Sequence, residues 1–153
     1  MPAKRFCPVD EVPSFKLCKE LKEQDYPQGG GGWYWLVTQT EERKELVSLY
    51  FFEMRPVPLA YQEYIKAPTL REVGERLPDK IMVDGFPFYL TVTRQGDVWE
   101  CYYSTPATGI LGGRVVCRPP TGRSSRMPDA YASMWLWLKK SNHLEGSNDV
   151  YSK

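Results

Sequence analysis

Apolar positions recur along this chain at two periods, and the switches between them divide it into elements. In SFKLCKELKEQ, Leu17, Cys18 and Leu21 share one helical face behind Ser14, whose hydroxyl suits the free N–H groups of a helix start. The spacing predicts a helix over 14–24. DYPQGGGG ends it, because Pro27 and a run of glycines sustain neither a helix nor a packed strand. WYWLVTQ and ELVSLYFFE then place aromatic and β-branched residues on either side of the charged TEERK, which predicts a β-hairpin. In its second arm Leu46, Ser48, Tyr50 and Phe52 point one way and Val47, Leu49 and Phe51 the other. Apolar residues on both sides predict a central strand covered on both faces.

Further along, Pro56, Pro58 and Pro68 limit the next strand to a short edge piece at 60–65. PTLREVGERLP predicts a helix: Thr69 and Glu72 stand at capping-box spacing, Leu70, Val73 and Leu77 face a core, and Pro78 stops it. KIMVDG, FPFYLTVTR and DVWECYYS read as antiparallel strands with a turn at Gln95 and Gly96. Residues 105–127 are loop-like, with one short strand expected at 114–118. The closing helix starts at Pro128 and Asp129, presents Tyr131, Met134, Trp135 and Leu138 on one face, and ends on Lys139 and Lys140. The polar end, 146–153, reads as a flexible tail. The pattern predicts an α+β fold, a mainly antiparallel sheet of about five to seven strands with three helices packed on it, as a single domain over 1–145.

The length of 153 residues supports such a domain without disulfide or metal. Twenty basic residues against nineteen acidic ones leave a net charge of +1, so any charged site must be local rather than a property of the whole surface. Cys7, Cys18, Cys101 and Cys117 form no CxxC pair and His143 is the sole histidine, a poor inventory for zinc; no metal and no cofactor are expected. The amino end lacks the apolar core of a signal peptide and no window reaches the length of a membrane span, so the expected location is cytoplasmic, with reduced thiols and no membrane partner.

Two sets of residues are candidates for binding. GRVVCRPPTGRSSR carries Arg114, Arg118, Arg123 and Arg126 with no acidic residue among them, and four guanidinium groups on one loop can converge on phosphate oxygens. Trp33, Tyr34 and Trp35 lead the aromatic runs and offer flat faces to a planar ligand, against the commoner use of strand aromatics in packing. The glycine run lacks the Lys and Ser or Thr of a phosphate loop and reads as a flexible connection. No catalytic residue is identified. His143 has no partner histidine and lies just past a helix end, and Cys117 sits in a strand context that aims Arg114 and Arg118 to different faces.

Three phrases, CKELKEQDYPQ, YIKAPTLREVGERLP and DAYASMWLWLKK, resemble in order and spacing those of a diffuse group of small uncharacterised proteins encoded by bacteriophages and prophages. The matched phrases are structural, so the resemblance supplies no site residue. It implies an accessory protein acting in the cytoplasm of a bacterial host. The leading functional expectation is a non-enzymatic protein that binds and inhibits a host factor, with host antiviral defence as one target class. The alternative is a protein that sequesters a nucleotide or another small anionic signal between the arginines and exposed aromatics. Nucleic-acid binding through the same arginines is a further, less favoured reading. The wide apolar face around Trp135 also leaves room for a homo-oligomer.

Overall fold

The computed structural model describes residues 7–104, 116–117 and 123–144. The expected tail at 146–153 lies outside them. The fold is α+β and its strands are antiparallel, but they form two sheets where one was expected, and the described residues hold four helices where three were expected. The extra helix is a single turn, Pro8–Glu11 (α1), in the stretch read as a proline-broken lead; proline is tolerated there because a first-turn N–H has no helical acceptor. The chain divides into two compact units between Arg71 and Glu72, and each collects its own strands.

In the first unit, α2 (Phe15–Glu23) starts at Ser14, whose hydroxyl accepts from the Leu17 N–H at 3.5 Å. It ends with Asp25 in the left-handed region (φ 64°). The Tyr26 N–H reaches back to the Leu21 carbonyl at 2.9 Å and the Asp25 N–H to that of Lys22 at 3.1 Å, which satisfies the last carbonyls. Three strands follow: β1 (Gly32–Gln39), β2 (Glu45–Phe52) and β3 (Gln62–Ala67), in the order β2-β1-β3. Thr40 closes the β1–β2 hairpin, its hydroxyl 3.1 Å from both the N–H and the carbonyl of Lys44, while Arg43 takes φ 62°. The core joins Val12 and Cys18 to Val37, Ile65 and Ala67, with Phe15, Trp33, Trp35 and Leu49 packed around them.

The strand expected at the centre of a sheet is therefore an edge. Strand β1 takes the middle place because the proline-rich segment after β2 brings β3 back against the opposite side of β1. Most of β2 stays in solvent.

In the second unit, α3 (Leu70–Arg76), which begins two residues before the boundary, leads into β4 (Lys80–Val83), β5 (Phe86–Gln95) and β6 (Val98–Ser104). An Asp84-Gly85 turn with both φ values positive joins β4 to β5, the handedness that matches strand twist. The β5–β6 turn lies at Gly96 and Asp97, with Gln95 opposite Val98 as the last pair. Two short strands, β7 (Val116–Cys117) and β8 (Arg123–Ser124), pair with the other edge of β6. Helix α4 (Met127–Lys140) packs against β6 and β8. Glu100, Cys101, Tyr102 and Tyr103 of β6 are all buried, so this strand is covered as a central strand should be.

Helix α4 buries Ala130, Met134, Trp135, Leu136 and Leu138. The face around Trp135 that sequence reasoning left open to a second copy is thus occupied within the chain. Its end repeats the device of α2: Asn142 takes φ 60°, and the His143 N–H reaches the Leu138 carbonyl at 2.9 Å.

Candidate interaction surface

The aromatic candidates of β1 are engaged in packing. Trp33 meets Phe51 edge-on at 5.4 Å and Trp35 meets Phe15 at 5.8 Å, on the face covered by the core. Tyr34 points to the other face and is buried. Its hydroxyl donates to the Gly30 carbonyl at 2.6 Å, with that of Gln28 at 3.1 Å, and the Lys66 ammonium lies over its ring at 4.9 Å. Lys66 also donates to the Gly31 carbonyl. Phe52 and Tyr64 complete an edge-on cluster with Tyr34. These contacts tie the glycine run down. A Cβ on Gly31 would overlap the Glu53 carbonyl oxygen and lie 2.8 Å from its carbon, so the segment read as a flexible connection includes a close backbone approach that glycine alone permits.

Of the four arginines, Arg123 and Arg126 can be placed, while Arg114 and Arg118 lie outside the described residues. Arg123 stands 3.1 Å from Glu100, and Arg126 stands 3.3 Å from Asp129 in the first turn of α4. Both guanidinium groups thus already have carboxylate partners. They belong to the second unit, and Trp33, Tyr34 and Trp35 to the first.

Two potentially reactive side chains, Cys101 and Tyr103, are buried. Burial pushes the Cys101 thiol up to about 12 and raises Tyr103 as well, with smaller contributions to the latter from Cys101 and Asp79. A thiol with so little thiolate is a poor nucleophile. The His143 ring packs on Trp137 at 5.3 Å beyond the end of α4. Among the described residues no group of three or more His, Cys, Asp or Glu side chains is placed to hold a metal, and no helix is long and apolar enough to cross a membrane.

What sequence reasoning missed is a strip of apolar surface on the first unit. Eight of the twelve large apolar side chains exposed among the described residues fall between positions 46 and 61. Leu46, Val47, Tyr50 and Phe51 come from β2; Met54, Val57, Leu59 and Tyr61 come from the segment after it, where Met54 is 78% and Val57 87% exposed. The outer edge of β2 pairs with no strand among the described residues. A signal for the second half was present: MRPVPLAY places apolar residues around Pro56 and Pro58, where no interior strand can hold them. For β2 the alternation itself misled, because it records that both faces want cover and not whether the same chain supplies it.

Compared with protein-family models, with curated proteins and with solved structures, the chain matches none of them.

Proposed function

We propose that this is a non-enzymatic binding protein whose partner is another protein, held through the apolar strip at 46–61. The observation that carries the reading is the concentration of large exposed apolar side chains in that one stretch. Large apolar side chains left in water cost free energy, and their concentration in one stretch of chain supports reading that stretch as a surface that a partner covers. Tyr50, Phe51, Met54 and Tyr61 belong to the residue types enriched at the centres of such contacts. In keeping with the phage resemblance, the proposed partner is a host protein that the chain sequesters or inhibits.

The competing nucleotide reading draws less support, since Arg123 and Arg126 face carboxylates and Tyr34 is buried. Val57→Glu and Leu59→Glu, placed in the exposed segment beyond β2, test the proposal. A protein retained from bacterial lysate by the parent chain should be lost with the double variant while the thermal unfolding profile is unchanged. Equal retention by both chains would move the contact elsewhere, and a small molecule released on heating the purified protein would favour the nucleotide reading.

A further inference from the structure

We infer that residues 53–61 form a strap across the second face of the first sheet, the face of Tyr34, Leu36 and Tyr64, and that this strap closes on the face with Val57 seated beside Leu36. The exposed position of its side chains is the open form.

Strands β2 and β3 both run antiparallel to β1, so they run parallel to each other with β1 between them. Phe52 ends β2 level with Gly32, and Gln62 opens β3 level with Thr38. Strand geometry sets these points about 20 Å apart along β1 and about 10 Å apart across it, so a direct crossing covers about 22 Å. An extended chain from Phe52 to Leu59, followed by the turn in which the Gln62 N–H bonds to the Leu59 carbonyl, reaches about 30 Å. A detour round an outer edge, clear of the edge strand, needs about 40 Å. The chain therefore passes over a face of β1.

Two independent features select the face. The face of Trp33, Trp35 and Val37 is already packed with Val12, Phe15 and Cys18. Handedness agrees. The Gln39 N–H bonds toward β3, to the Tyr61 carbonyl at 3.1 Å, and the Thr40 N–H bonds toward β2, to the Lys44 carbonyl at 3.0 Å. Odd positions of β1 thus bond toward β3 and even positions toward β2. For L residues, viewed with the even-numbered side chains in front and β1 running upward, this places β2 on the right and β3 on the left. A right-handed crossover, the hand that connections between parallel strands take almost without exception, then lies in front of the even-numbered face.

That face has apolar groups in want of cover: Tyr50 is 48% exposed, and Leu36, Phe52 and Tyr64 are half-buried. The strap above it exposes Met54, Val57 and Leu59. Two apolar surfaces joined by one short connection bury area on meeting, at little further cost in chain entropy. Both ends of the strap are pinned. Glu53 lies against Gly31, and Leu59 bonds to Gln62 through both its N–H and its carbonyl. Pro56 and Pro58 keep Arg55 and Val57 extended, so the middle moves as one stiff piece. Val57, midway between Phe52 and Gln62, is the residue that meets β1 near Leu36, with Tyr50 and Tyr64 on either side. Closure hides the side chains that the proposed partner contact uses; to that extent it rests on the partner reading, and it makes the sheet and a partner compete for one strap.

Nuclear magnetic resonance and cross-linking test closure without any partner. In the parent protein the Val57 methyl protons should lie upfield of their random-coil positions and show contacts to Leu36 and Tyr50, and Tyr50→Ala should remove part of the shift. Random-coil Val57 methyls without these contacts would overturn the inference. In a Cys7→Ser background under mild oxidation, Leu36→Cys with Val57→Cys should form a disulfide within one chain roughly tenfold faster than Val47→Cys with Val57→Cys, because Val47 is exposed on the opposite face. Ser48→Cys, exposed beside Leu36 on the same face, replaces Leu36→Cys where that variant does not fold. Equal rates on the two faces, or faster linkage from Val47→Cys, would also overturn it. The linked chain should retain several-fold less of the lysate protein until a reductant opens it. Undiminished retention by the linked chain would overturn the partner contact at 54–61, while closure stands on the linkage itself.

Discussion

Arg123 of β8 stands directly opposite Glu100 of β6 in the ladder, its Nε 3.1 Å from a carboxylate that is almost wholly buried. A two-residue strand thus brings a guanidinium to the one place where it offsets a buried negative charge. The pair gives this arginine of the basic loop a carboxylate partner within the sheet.

Arg123→Ala should lower the stability of the second unit by about 1–2 kcal/mol. That is less than the cost of breaking a fully buried pair, because the arginine side chain is 59% exposed and screened by water. Adding Glu100→Gln should recover part of the loss by removing a buried charge that no longer faces the Arg123 guanidinium. Urea unfolding of the single and double variants measures both effects.

The glycines of GGGG should not be equivalent. Gly31→Ala drives a methyl into the Glu53 backbone and should cost about 1–3 kcal/mol. Gly29→Ala meets nothing within 4 Å and needs no left-handed backbone, so it should be neutral or stabilise by about 0.4–1 kcal/mol through the unfolded chain. Thermal unfolding that moved equally for both would show the run to be a loose tether.

Tyr34→Phe keeps the ring beneath Lys66 and removes the donor to the Gly30 carbonyl. The expected cost is about 1–2 kcal/mol, the usual penalty for losing one buried hydrogen bond partner. Amide exchange in residues 28–32 should accelerate more than exchange in β3, which separates loss of this tie from general destabilisation.

Alkaline pH should destabilise the second unit. The thiol of Cys101 is raised from 9.0 to about 12 by burial, so below pH 9 both folded and unfolded chains hold the proton and stability is flat. Between 9 and 12 only the unfolded chain ionises, and stability falls as pH rises. Tyr103 acts in the same direction from its ordinary value of 10.0 upward. Unfolding midpoints across this range should show a shallower decline in Cys101→Ala. At pH about 8, a thiol reagent should label exposed Cys7 in the native protein and reach Cys101 only in denaturant.

Local signals carried much of the architecture. Ser14 and the apolar spacing behind it marked α2, the Thr69 and Pro78 boundaries marked α3, and the Pro128-Asp129 start and Lys139-Lys140 end marked α4. These were legible because capping, proline geometry and helical periodicity act over a few residues. The antiparallel strands and the edge position of β3 were legible for the same reason, through short turns and flanking prolines.

The sequence by itself determined the three longer helices, the six longer strands and that the fold is α+β, since those outcomes rest on interactions within a turn or a hairpin. Tertiary structure alone decided the rest: that the strands divide into two sheets, that β1 rather than β2 lies at the centre of the first, that Arg123 meets Glu100, and that the apolar strip at 46–61 remains in solvent. Each depends on which distant segment wins a place beside a strand. Periodicity states that a face needs cover, and only the long-range contacts of the folded chain decide whether that cover comes from within.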